Sequence, residues 1–134
     1  MIKIQPKILF QGESFSPKLA EDKLNIVFSE KLEVNEIATR GRYKDKPLPY
    51  GSSVIEPPDN VFWNDRISWL CDFLTDKIEI IKSCGATSIE LSVAYYYVDQ
   101  CNCYLTKEEI SKIFRLQIPL SFSVYEVNDL ETVK

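Results

Sequence analysis

Histidine is absent from this chain of 134 residues. That removes Ser-His-Asp and Cys-His nucleophile systems and every histidine-containing metal site. Glycine is scarce, with 4 residues, and no Gly-x-Gly-x-x-Gly or Walker-type loop can be assembled from them. Dinucleotide and P-loop chemistry are therefore not expected. No apolar run approaches the ~20 residues of a membrane-spanning helix. The opening Met1-Ile2-Lys3-Ile4-Gln5-Pro6-Lys7 lacks the apolar stretch of a secretion signal. A cytoplasmic protein with no membrane contact is the expectation. The four cysteines, Cys71, Cys84, Cys101 and Cys103, should then be thiols.

The composition is that of a globular protein, 45% hydrophobic and 27% charged, so residues 1–134 are read as a single domain with its own core. The net charge of −4 argues against nucleic-acid binding, which needs a basic face. Arg40-Gly41-Arg42-Tyr43-Lys44-Asp45-Lys46 is the only positive cluster, and one short cluster reads as a solvated hairpin.

Periodicity predicts the element order β-α-β-β-α-β-α-β. Ile2, Ile4, Ile8 and Phe10 share one parity and read as a strand, with Pro6 at an edge or bulge. Ser16-Pro17 is an N-cap followed by proline at the first helical position, with Leu19, Ala20 and Leu24 as the apolar side. Leu32–Tyr43 and Ser52–Glu56 are assigned as strands around a Pro-rich loop. Asp59 is expected to cap one long helix from Asn60 to about Cys84, closed by Gly85. Thr87–Val98 alternates as a half-buried strand. Thr106-Lys107-Glu108-Glu109 is a capping box, and Leu120, Phe122 and Val124 form a last strand. The fold class is α+β, a mainly antiparallel sheet with helices packed on one face.

The long helix carries three stripes. Trp63, Ile67, Leu70, Leu74, Ile78 and Ile81 form a core stripe. Asp65, Asp72, Asp76 and Glu79 cluster on the opposite side. Between them lie Phe62, Trp69, Phe73 and Ile80, widening the apolar sector to about 180°, more than one sheet face covers. Either another helix of the chain covers Trp69 and Phe73, or a partner protein does, since aromatic anchors rimmed by carboxylates make binding hot spots. Asp65, Trp69, Asp72, Phe73, Asp76 and Glu79 are the candidate partner-binding residues.

The alternative is a tyrosine-lined ligand pocket at Glu90, Tyr95, Tyr97 and Asp99, where paired carboxylates would do acid–base work. Cys101-Asn102-Cys103 is Cys-x-Cys, not the Cys-x-x-Cys of redox or zinc motifs, and a four-thiolate site would need helix, cap and strand to converge. Neither a metal nor a cofactor is expected.

Phe15-Ser16-Pro17, the Gly51 loop, Gly85-Ala86, Leu105-Thr106-Lys107-Glu108-Glu109 and Ser121-Phe122-Ser123-Val124-Tyr125 occur in an order that resembles an uncharacterised bacterial family, the domain of unknown function 4279. The resemblance spans most of the chain and departs at Ser52–Glu56, where Val54-Ile55 stands in place of a tryptophan-bearing strand. It implies a compact bacterial cytosolic protein and no particular chemistry. By size, charge and class the chain is also similar to immunity proteins, which neutralise a toxin by covering its active surface. The expected function is non-enzymatic: protein binding, most concretely to a basic toxin domain. A homodimeric regulatory module needs the same kind of surface.

Overall fold

The computed structural model describes residues 2–133. Five strands form one sheet: β1 (Ile2–Gly12), β2 (Glu30–Leu32), β3 (Gly51–Ile55), β4 (Ser88–Tyr97) and β5 (Leu120–Glu126). Their spatial order is β2-β3-β1-β4-β5. The helices are α1 (Pro17–Leu24), α2 (Arg66–Thr75), α3 (Ile78–Ser83) and α4 (Lys107–Leu116), with 3-10 turns at Trp63–Asp65 and Leu130–Thr132. The fold is the α+β class expected from periodicity, and the element order follows the expected one except that the long helix is split into α2 and α3. Every neighbouring strand pair is antiparallel except β4 and β5, which run parallel because α4 carries the chain back between them.

The alternating strands put one parity under the helices. Ile8 and Phe10 of β1, Ile55 of β3, and Ile89, Leu91, Val93 and Tyr95 of β4 join Ile67, Leu70, Leu74 and Ile81 in a single buried cluster. The other parity of β1 and β4, Lys7, Leu9, Gln11, Glu90, Ser92 and Tyr96 among them, is half-buried or exposed. Local chemistry sets the helix ends. The Ser16 hydroxyl accepts from the Leu19 N–H at 3.2 Å and Asn25 closes α1 with φ 53°. Thr106 and Glu109 form the reciprocal capping box at 2.9 and 3.0 Å.

Four local assignments are corrected. Leu32–Tyr43 is not a strand: β2 ends at Leu32, and the chain then folds into an irregular arm. The arm is held by Asn35 and Leu48, Glu36 and Leu48, and Ala38 and Lys46 through backbone hydrogen bonds. The expected helix from Asn60 to Cys84 starts later and is bent. Asp59 caps nothing, the first turn is the 3-10 turn at Trp63, and α2 gives way to α3 at Asp76-Lys77. There the Lys77 N–H turns back to the Leu74 carbonyl at 2.9 Å and tightens the last turn of α2. Trp63 therefore leaves the core stripe, while Ile67, Leu70, Leu74, Ile78 and Ile81 keep their buried places.

Pro6 sits in a central strand, yet at a local edge. β3 stops at Ile55, opposite Ile8, so Ile2–Lys7 pair only with β4. The segment from Pro57 to Arg66 straps this one-sided stretch, with the Lys3 ammonium 5.3 Å from the centre of the Trp63 ring. Arg66, almost fully buried, donates to the carbonyls of Pro58 (3.1 Å), Val61 (3.2 Å) and Pro57 (3.3 Å). Its guanidinium also lies 5.0 Å from the centre of the Trp63 ring.

Candidate functional site

The aromatic part of the α2 face is assembled as its spacing suggests. Trp69 stacks on Phe73 with ring centres 5.1 Å apart and planes 13° apart, and both rings are half-buried against the core. The bend at Asp76 separates the rest. Phe62 precedes the helix and is largely exposed, and Ile80 belongs to α3.

The acidic stripe is not the bare negative face that a helical wheel of carboxylates implies. Lys112 of α4 reaches across to the Asp72 carboxylate at 2.9 Å and the Ser68 hydroxyl at 2.6 Å. Lys77 pairs with Asp76 at 3.0 Å and holds that carboxyl below its usual range, chiefly by hydrogen bonding. Lys82 stands 3.6 Å from Glu79. Of the four acids only Asp65, exposed at the start of α2, has no cation against it. Three lysines thus neutralise most of the stripe.

The alternative tyrosine pocket does not converge. Tyr95 points into the core and is 1% exposed, whereas Glu90 lies on the opposite face of the same strand. Tyr97 is half-buried at the strand's end, and Asp99 is in an exposed turn with φ 66°. The recess that Glu90 lines, with Leu9, Ser52 and Ser88, includes none of the other three. Burial pushes the Tyr95 hydroxyl up to about 12, and that hydroxyl has no hydrogen-bond partner. A recess of about 540 Å³ is lined by the other parity of these strands, between Gln5, Lys7, Glu56, Trp63, Arg66 and Tyr96. Its Arg66 side is committed to the strap carbonyls described above.

The cysteines are four thiols. Cys71 and Cys84 are buried, and burial pushes the Cys71 thiol up to about 11. The Cys101 and Cys103 sulfurs lie 3.7 Å apart in the loop after β4. Burial, then the hydrogen bond with Cys101, raises the Cys103 thiol, which disfavours the reactive thiolate. Among the described residues no group of three or more Cys, Asp or Glu is placed to hold a metal ion.

The surface that sequence reasoning missed is the β5 edge. Among the described residues β5 has a neighbour only on its β4 side. Two hydrogen bonds fix which way its backbone points: Leu91 N–H to the Pro119 carbonyl (3.0 Å) and Val127 N–H to the Tyr97 carbonyl (2.8 Å). Odd-numbered residues therefore bond to β4, and Leu120, Phe122, Val124 and Glu126 aim their N–H and C=O groups outward. The same residues put their side chains on the helix face, where Phe122 is 44% exposed and Val124 49%.

α4 explains why they are uncovered. Its Lys112 side turns to α2, and Ile113 and Leu116 are buried. Ile110 and Phe114 lie about 160° around the helix from Lys112, on the flank away from α2. On that flank Ile110 is 54% and Phe114 72% exposed. An unpaired strand and an apolar helix flank thus share one border of the molecule. The signal was present in the sequence: Ile110, Ile113, Phe114 and Leu116 spread over about half of α4, the same excess width seen in the long helix.

No helix among the described residues is long and apolar enough to cross a membrane. Comparison with protein-family models, with curated proteins and with solved structures found no match.

Proposed function

We propose that this chain is a non-enzymatic protein-binding module that docks its partner on the β5–α4 border. One observation carries this reading: an open strand with outward hydrogen-bonding groups lies beside four large apolar side chains, Ile110, Phe114, Phe122 and Val124, that the described residues leave 44–72% exposed. Monomeric proteins rarely leave such a combination free, because an uncovered strand recruits other chains. Strand addition supplies directional backbone bonds, and the flanking aromatic groups supply buried area. Four free thiols suit work in the reducing cytosol.

Toxin neutralisation belongs to this proposal as one use of a binding face, with the toxin domain as the docked chain. The half-exposed Trp69–Phe73 stack favours a contact through α2 instead. Its electrostatic part is weakened by Lys77, Lys82 and Lys112, which leave little net charge to steer a basic partner. Resemblance to the domain of unknown function 4279 is compatible with either face.

The test is site-specific photo-crosslinking in living cells, with a benzophenone amino acid placed at Phe114, Phe122, Trp69 or Asp76 in turn. A protein adduct from Phe114 and Phe122 but not from Trp69 or Asp76 is the expected result; an adduct of the chain with itself counts. Adducts only from Trp69 and Asp76 would move the contact to α2. No adduct from any of the four would sink the binding reading.

A further inference from the structure

We infer that the partner docked on this border is a second copy of the chain, with the two β5 strands antiparallel about a two-fold axis through Phe122. This rests on the border being a docking face. The sheet's two edges differ sharply. β2 is three residues long and carries Glu30 and Lys31, the usual means of keeping an edge unpaired. β5 is seven residues long, has no proline or basic residue, and its only charge is Glu126 at the end.

β5 is also self-complementary. Leu120-Ser121-Phe122-Ser123-Val124 reads nearly the same in both directions about Phe122. A two-fold axis normal to the sheet keeps each face on its own side. On the helix face, Leu120 then opposes Val124 of the partner subunit and the two Phe122 rings meet. On the other face, Ser121 opposes Ser123 of the partner subunit. The residues so paired, Leu120, Phe122 and Val124, are the ones whose N–H and C=O groups point outward. The phase of the strand therefore matches the phase of the pairing, and two five-stranded sheets become one.

Charge points the same way. Each copy carries −4, so two copies repel wherever their carboxylates face each other. A strand with a single terminal charge is where they approach at least cost. Ile110, Phe114, Phe122 and Val124 are each 44–72% exposed. At ~200 Å² for a large side chain they offer on the order of 400 Å² per copy, about half the ~800 Å² per partner of a standard stable interface, which points to a dimer of modest affinity.

Sedimentation velocity of the purified chain, from low to several hundred micromolar, tests this beside two variants. Val124→Pro deletes an outward N–H and leaves the bonds to β4 in place. Phe122→Lys puts a charge at the axis. Circular dichroism checks that each variant is folded. The expected result is a wild-type dimer weakened about twenty-five-fold by Val124→Pro, from two symmetry-related hydrogen bonds at about fivefold each, and abolished by Phe122→Lys. A monomeric wild type overturns the self-pairing, as does a dimer that both folded variants retain. A monomer that still gives adducts from Phe114 and Phe122 with a different protein would refute the second copy and keep the docking face. A monomer with no adducts would refute both.

Discussion

Replacing Tyr95 with phenylalanine should stabilise the protein, which runs against the usual effect of a core substitution. The Tyr95 ring is enclosed, 1% exposed, and packs 5.7 Å from Phe122. Its hydroxyl finds no partner, so folding strips water from it without replacement. Such an orphan group costs about 1–3 kcal/mol. Tyr95→Phe keeps the ring and removes that cost, so a gain of about 1 kcal/mol is expected. In urea, at a slope near 2 kcal/mol per molar, the midpoint rises by roughly 0.5 M. Raising the pH should widen the gap. The hydroxyl ionises near 10.0 in the unfolded chain and is pushed up to about 12 in the fold, chiefly by burial. Between those values the folded state holds a proton that the unfolded state has released. Stability is therefore fully present below pH 10 and falls as pH rises through that window, by about 2–3 kcal/mol in all. Tyr95→Phe lacks this loss. Cys71, raised from 9.0 to about 11, contributes a similar fall from pH 9 upward in both proteins and cancels in the comparison. Urea titrations at pH 8 and pH 11 measure both effects. A variant destabilised by 1 kcal/mol or more at pH 8 would show that the hydroxyl is bonded in solution. An unchanged gap at pH 11 would show that it is not enclosed.

Three further outcomes follow from other contacts. Arg66→Met should cost about 3 kcal/mol by stranding the carbonyls of Pro57, Pro58 and Val61. Arg66→Lys should not rescue it, because one ammonium cannot match a fork spread over three acceptors; chemical denaturation of both variants checks this. Thr106→Ala breaks the capping box of α4 and should lower stability by about 1 kcal/mol, read as a melting-temperature drop of about 2–4 °C. At pH 8 a thiol reagent should modify Cys101 and Cys103 well before Cys71 and Cys84, which are 1% and 4% exposed. Peptide mapping by mass spectrometry would count against the burial scheme if Cys71 reacted as fast as Cys103.

What the sequence made legible is what neighbouring residues decide among themselves. Ser16-Pro17 and the Thr106–Glu109 box announce helix starts because their side chains bond to backbone within one turn. β4 is legible because Ile89, Leu91, Val93 and Tyr95 alternate without interruption. The bend at Asp76-Lys77 was hidden, since apolar spacing continues across it through Leu74, Ile78 and Ile81. The neutralised acidic stripe was hidden because one of its lysines, Lys112, arrives from a helix 40 residues downstream of Asp72. Most consequentially, Phe122 and Val124 have the parity of core residues and are half exposed. Alternation shows which way a side chain points. Whether a helix lies above it depends on strand order, which puts β5 at the rim beyond the reach of α4.

The central place of β1 has a consequence for how the chain is made. β1 leaves the ribosome well before β4, with which Ile2–Gln11 are paired, Ile2 opposite Tyr97 and Gln11 opposite Ser88. At ~5–20 residues per second it waits on the order of 5–20 s for that partner to be synthesised. During the wait, an apolar segment holding Ile2, Ile4, Ile8, Leu9 and Phe10 is open to neighbouring nascent chains. Lys3, Pro6 and Lys7 interrupt it at short intervals. Proline withholds an N–H and the lysines repel a like strand, so the residues that look ill suited to the middle of a sheet protect it before the sheet exists.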